Sequence, residues 1–133
     1  MKHLLLDTHA WAWSMTADAR LSVTAIAAME AAETVSISAI SLFEIGQKVR
    51  LGKWPEMAAF LNRLIPLAEE QGGRLIEVSP EASLLASTMA WDHRDPFARI
   101  IAATAITRGL ALVSTDAAFS ALTEMPKWPG LVW

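Results

Sequence analysis

The chain has 133 residues, 53% of them hydrophobic, no cysteine, and a formal net charge of −3 at pH 7. Such a length and apolar content fit one folded domain, spanning 1–133, and exclude a disordered chain. The missing cysteines rule out disulfides, thiolate zinc sites and cysteine nucleophiles, and the negative charge argues against nucleic-acid binding through a broad basic surface.

Only Lys2 precedes the apolar run Leu4-Leu5-Leu6, and Asp7 ends it. That run is too short for a signal peptide or a membrane span, so a soluble cytoplasmic protein is expected. His3–Leu6 reads as a buried strand with Asp7 at its carboxyl end, followed by a short helix over 8–15. Open α/β sheets present their sites in this strand–acid–helix order, although a plain helix N-cap would also explain Asp7. Residues 22–32 read as a helix capped by Ser22. Thr34–Ser38 alternates with period two and is rich in β-branched residues, which predicts a strand.

A helix is expected from about 41 to 51, with Ser41 and Glu44 at capping-box spacing and Gly52 at its end. Glu44 lies in an otherwise apolar stretch. The capping box or an i,i+4 pair with Lys48 would account for it, and a site acid would account for it equally. Lys48, Arg50 and Lys53 form the densest basic group, either a solvated face or a phosphate-contacting rim. Residues 56–71 have helical period, with Pro66 kinking or splitting the segment. A third strand is predicted over 75–78, and Ser79-Pro80 opens a helix to about Met89. Asp95-Pro96 opens the next helix and Gly109 closes it. Leu110 starts a buried strand that runs out at Ser114-Thr115-Asp116. A short helix over Ala117–Leu122 and an edge strand near Leu131 complete the chain.

Strands and helices alternate throughout, which predicts an α/β fold with a mostly parallel sheet of 4–5 strands and helices on both faces. Asp7 and Asp116 then stand at strand ends, with Glu44 and Asp95 near helix starts at the same sheet edge. Converging carboxylates repel one another and call for a cation. Mg²⁺ or Mn²⁺ suits oxygen ligands and can activate water for phosphodiester hydrolysis.

Four stretches carry a resemblance: Leu6-Asp7-Thr8-His9-Ala10, Ile37-Ser38-Ala39-Ile40-Ser41-Leu42-Phe43-Glu44-Ile45, His93-Arg94-Asp95-Pro96-Phe97-Ala98-Arg99 and Leu112-Val113-Ser114-Thr115-Asp116-Ala117-Ala118-Phe119. In this order, and over nearly the whole chain, they resemble the PIN domain, and more narrowly the VapC-type ribonuclease toxins of bacterial toxin–antitoxin pairs. The resemblance implies a single PIN-like domain acting as a Mg²⁺- or Mn²⁺-dependent endoribonuclease on an RNA substrate. It also implies a homodimer and a cognate antitoxin protein as partner. It assigns Asp7, Glu44 and Asp116 as catalytic, metal-binding acids, with Thr8 and Thr115 as polar neighbours.

One position departs from the pattern. The family usually reads Asp-Pro-Phe-Asp-Arg, whereas this chain has alanine at 98. If Asp95 is the cap, position 98 lies one turn into the helix, where a carboxylate would point at the site. Either Asp95 takes the missing catalytic and metal-binding role, or Ala98 marks an inactivated form. Lys48, Arg50, Arg94 and Arg99 are candidate phosphate contacts, and His93 is a candidate hydrogen-bond partner for RNA. The alternative to an enzyme is a catalytically silent PIN-like module that binds RNA or a partner protein. A phosphotransferase with Asp7 as nucleophile wants a second aspartate two residues on, where His9 stands.

Overall fold

The computed structural model describes residues 2–133. Among the described residues, β1 (His3–Leu6), β2 (Thr34–Ser38), β3 (Arg74–Ile76), β4 (Ala111–Val113) and β5 (Leu131–Val132) form one sheet in the order β3-β2-β1-β4-β5. Every adjacent pair is parallel. The α-helices are α1 (Thr8–Thr16), α2 (Val23–Ala31), α3 (Ala39–Arg50), α4 (Leu64–Glu70), α5 (Pro80–Thr88) and α6 (Pro96–Arg108), with 3₁₀ segments at Pro55–Arg63 and Ala117–Leu122.

The strands are short and buried, so successive residues feed two separate cores. Leu4 and Leu6 of β1 join Ala111 and Val113 of β4 on one face, packed with Trp11 of α1 and Ile45 of α3. Leu5 and Leu112, paired in register, face the other way onto Ile101, Ala102 and Ala105 of α6. Helix α6 is buried at every position from Ile101 to Ile106, and its small side chains let the backbone lie close to both sheet and α5. Ser22, Ser79 and Asp95 cap α2, α5 and α6 through bonds of 3.0 Å to backbone N–H groups. Gly109 ends α6 at φ 67°, the left-handed backbone that glycine adopts without steric cost.

Two local expectations are revised, and a third is decided in favour of a split. Helix α3 starts at Ala39 with Ser38 as cap, its Oγ accepting from the Ile40 N–H at 3.1 Å, so Ser41 and Glu44 are not a capping box. The 56–71 segment is two elements that meet at Arg63 and Leu64. Pro66 causes this by restarting the helix upstream of itself: at the third position of α4 its missing N–H needs no intrahelical partner. The last short helix, Ala117–Leu122, is 3₁₀. Gly73 is tightly fitted where α4 turns into β3: a Cβ there would lie 2.7 Å from Ile37 Cδ1, the movable end of a side chain, and 3.1 Å from the Ala68 carbonyl. Among the described residues, no helix is long and apolar enough to cross a membrane.

Candidate active site

The chain leaves β1 for β2 on one side of the sheet, and β4 comes to lie on the other side of β1. Diverging connections open a crevice at the carboxyl ends of the two strands. Asp7 sits there. Its N–H bonds the Val113 carbonyl at 3.0 Å, tying it to β4. Asp7 Oδ1 accepts from the Ala10 N–H at 2.7 Å, so the residue caps α1. Its Oδ2 accepts a short hydrogen bond from Ser114 Oγ. Cap and site acid are thus one residue, using one oxygen for each purpose.

Glu44 reaches the same crevice from α3. Thr8 and Ser41 are buried and their hydroxyls lie 2.9 Å apart, which clamps α1 to α3. Ser41 is one turn before Glu44, so the clamp fixes the face on which the carboxylate stands. Asp7 is 8% exposed and Glu44 5%. Burial pushes the Asp7 carboxyl above the ordinary range, opposed by its bonds from Ser114 and Ala10 and by the charge of His9, while the Glu44 charge adds a smaller push upward. Lys48 Nζ lies 2.5 Å from Glu44 Oε2, so Lys48 is engaged with an acid within the protein.

Asp116 is more open, its side chain 49% exposed. Its Oδ1 accepts from the Ala118 N–H at 2.9 Å, and its Oδ2 stands 3.9 Å from His93 Nε2. Ser114 Oγ also accepts the Asp116 N–H at 3.0 Å, so one hydroxyl joins both aspartates. Thr115 between them is exposed. Among the described residues, no three acidic or histidine side chains are gathered closely enough to hold an ion. Asp7 and Glu44 are brought together; Asp116 is at the same edge but turned towards His93.

Asp95 is a helix cap, with Oδ1 accepting from the Phe97 N–H at 3.0 Å and its own N–H bonded to His93 Nδ1 at 3.2 Å. Ala98 is 8% exposed and packs in the cluster that contains Leu5 and Met89. Arg50 and Arg94 are exposed and lack ion-pair partners among the described residues, as phosphate contacts would need.

Arg99 is placed otherwise than expected. Its guanidinium donates to four backbone carbonyls: Ala86 at 2.7 Å, Met89 at 2.8 Å, Trp91 at 2.5 Å and His93 at 2.9 Å. It braces the loop between α5 and α6 from inside, and few donors remain for a phosphate. Arg99→Ala would leave several part-buried carbonyls unpaired, and a loss of about 2–4 kcal/mol is expected. Arg99→Lys should recover only part of this, since one ammonium cannot span four acceptors. Urea unfolding of the three proteins measures both effects; equal midpoints would show that the clamp is not formed in solution.

Ser114 was not among the expected site residues. Its signal was its place, a small hydroxyl side chain directly after a fully buried strand and two residues before an acid.

Residues 4–125 match the PIN-domain family model. The chain belongs to the PIN-domain family. Ribonuclease VapC22 of Mycobacterium tuberculosis is 32% identical over 117 residues, which cover 87% of this chain and 88% of that one. The PIN fold is shared with the VapBC2 complex of Rickettsia felis bound to a DNA fragment, at TM-score 0.63 and 16% identity over 98% of both chains. VapBC-5 of Mycobacterium tuberculosis aligns at TM-score 0.62 and 18% identity over 96% of both chains. The crevice with Asp7, Glu44 and Ser114 therefore lies inside the region that defines the PIN domain.

Proposed function

We propose that the chain is a divalent-metal-dependent endoribonuclease and the toxin of a toxin–antitoxin pair. The observation that carries this reading is the pair Asp7 and Glu44, two nearly inaccessible carboxylates at the crevice of the sheet, close enough for one charge to act on the other. Lys48 already pairs with Glu44, so Asp7 is the buried charge that lacks an ion-pair partner among the described residues, and a bound cation would offset it. The donors around them are hard oxygens, from Asp7, Glu44 and Asp116 and from the hydroxyls of Ser41 and Ser114. That set fits Mg²⁺ or Mn²⁺ rather than zinc or copper. The sequence similarity to a ribonuclease supports the reaction class.

A bound divalent ion would supply charge neutralisation and an activated water for phosphodiester hydrolysis. The protein's own groups prepare that chemistry. Ser114 and the Ala10 N–H fix both oxygens of Asp7, and Thr8–Ser41 fixes the helix that carries Glu44. Glu44, its carboxylate held in place by Lys48, would bind the ion through water or orient the attacking water. Asp116, now 3.9 Å from His93, would be the further acid to hold the ion, with Thr8 and Thr115 as polar neighbours. Arg50 and Arg94 contact phosphates at the rim. Asp95 caps α6, and with Ala98 beside it the site works one carboxylate short.

An antitoxin partner belongs to the same reading, supported by the fold shared with toxin–antitoxin complexes, and so does the homodimer that the sequence resemblance implies. Ala98, together with the ungathered acids, favours a second reading, a silent module that binds RNA without cutting it.

Cleavage of a mixed RNA pool in Mn²⁺ or EDTA, followed alongside thermal unfolding, separates the two. Slow cleavage in Mn²⁺ and none in EDTA is expected, with added Mn²⁺ raising stability by about 2.7 kcal/mol at a hundredfold excess over Kd. A melting temperature indifferent to Mn²⁺, with no cleavage, would leave the silent module as the answer.

A further inference from the structure

Beside the acid pair lies a second cleft, of about 560 Å³, between α1, the end of α3 and the following 3₁₀ segment. Its wall is aromatic. His9 stacks on Trp54 with ring centroids 4.6 Å apart and planes at 24°, and meets the edge of Trp13 at 5.8 Å. His9 is exposed while Trp13 is buried and Trp54 half-buried, so the stack is anchored at its base and open to solvent at its end. Cations line the same cleft. Arg20 lies over the Trp13 ring at 4.8 Å, and Lys48 Nζ lies 5.6 Å from the centroid of Trp54. Arg20 is paired with Asp18 and Lys48 with Glu44, and Glu56 also lines the cleft. Lys53 has no acidic partner among the described residues.

We infer that this cleft is a subsite for an unpaired base of the RNA strand, which stacks on His9 while the adjoining phosphate meets Lys53. Stacked aromatics bordered by cations are the means by which proteins hold single strands without reading a particular sequence, since every base has a π-face. A duplex keeps its bases stacked on one another and cannot use such an open end. The position suits a strand running through the acid site: His9 is two residues past Asp7, and Lys48 touches both Glu44 and Trp54. The cleft thus selects single-stranded over duplex RNA and sets how far an unpaired base lies from the bond that is cut. This rests on the ribonuclease reading for its substrate.

The test is fluorescence anisotropy of a labelled eight-nucleotide RNA in EDTA, where no cleavage occurs, with the same strand in a duplex as comparison. His9→Ala is expected to weaken single-strand binding about tenfold and leave duplex binding unchanged. His9→Phe keeps an aromatic plane and should restore binding, which separates stacking from any effect on folding. Lys53→Ala should lower affinity and reduce the slope of log K against log salt by about 1. Unaltered single-strand binding by His9→Ala, equal losses on strand and duplex, or no RNA binding by the parent protein would each overturn the subsite. Cleavage is scored separately in Mn²⁺. Cutting that persists while His9→Ala binds normally removes the subsite alone. A His9-dependent affinity without cutting in any metal removes the nuclease and keeps the subsite.

Discussion

Ala98→Asp is expected to raise Mn²⁺-dependent RNA cleavage on the order of 100-fold, at a metal concentration where the parent protein is far from saturated. Position 98 is the third residue of α6, behind the Asp95 cap and Pro96, and is nearly inaccessible to water. A carboxylate there would lie against the open amides of the first helical turn, which favour negative charge. It would also add another buried acid to Asp7 and Glu44, and without a cation that repulsion should cost about 1–3 kcal/mol. The variant should therefore be less stable than the parent in EDTA and gain more from Mn²⁺, so the two melting temperatures converge or cross as metal is added. Unchanged stability in EDTA would mean that position 98 does not face the acids. An unchanged cleavage rate would return the missing role to Asp95.

Replacing Asp7 by asparagine should produce the opposite combination, loss of cleavage together with a more stable fold. Asparagine can still accept from the Ala10 N–H through its oxygen, and its amide can donate to Ser114 Oγ. The charge disappears, the Ala10 bond survives, and the Ser114 bond is reversed, so the Ser114 hydroxyl proton must turn to another acceptor. Burial raises the Asp7 carboxyl above its unfolded value, with the Glu44 charge adding to the rise, so the folded protein holds that proton more tightly than the unfolded chain does. Stability from this group is then fully present below the unfolded-state pKa and is lost as pH rises through the folded-state one. Near neutral pH the parent carries the full penalty of a buried charge. Asp7→Asn should relieve it, gaining on the order of 1 kcal/mol, roughly 3–5 °C in Tm, with the gain vanishing in acid. Saturating Mn²⁺ should stabilise the parent and leave the variant nearly unmoved. Calorimetry across pH measures all of this; a variant less stable at pH 7 than its parent would show that the Asp7 charge is compensated within the fold.

Much of the architecture is written in short-range patterns. Buried runs ending in acids, separated by capped helices, admit few arrangements other than a parallel sheet, and Asp7, Glu44 and Asp116 could be placed at one edge on that ground. Choices between equivalent residues were not legible. Ser38 and Ser41 are both able to cap α3, and what selects Ser38 is the bond from Ser41 to Thr8, 33 residues away in sequence. Pro66 advertised a break without saying on which side of itself the helix would restart. Arg99 looks like any surface cation near a phosphate site, since its four acceptors are backbone carbonyls that only the folded loop brings together. The rotation of Asp116 towards His93 likewise depends on a loop whose course the sequence does not encode locally.

The bond between Ser114 and Asp7 closes a span of 107 residues. Asp7 is made long before the Ser114 hydroxyl that binds its second oxygen, its N–H partner Val113 and its companion Asp116, all of which arrive with β4 or directly after it. At ordinary translation rates of 5–20 residues per second, roughly 5–20 s separate the two ends of the site. A growing or prematurely ended chain that stops short of β4 has the acid but not the crevice. The sheet order thus acts as a timer: the crevice can close around Asp7 only once β4 has been made.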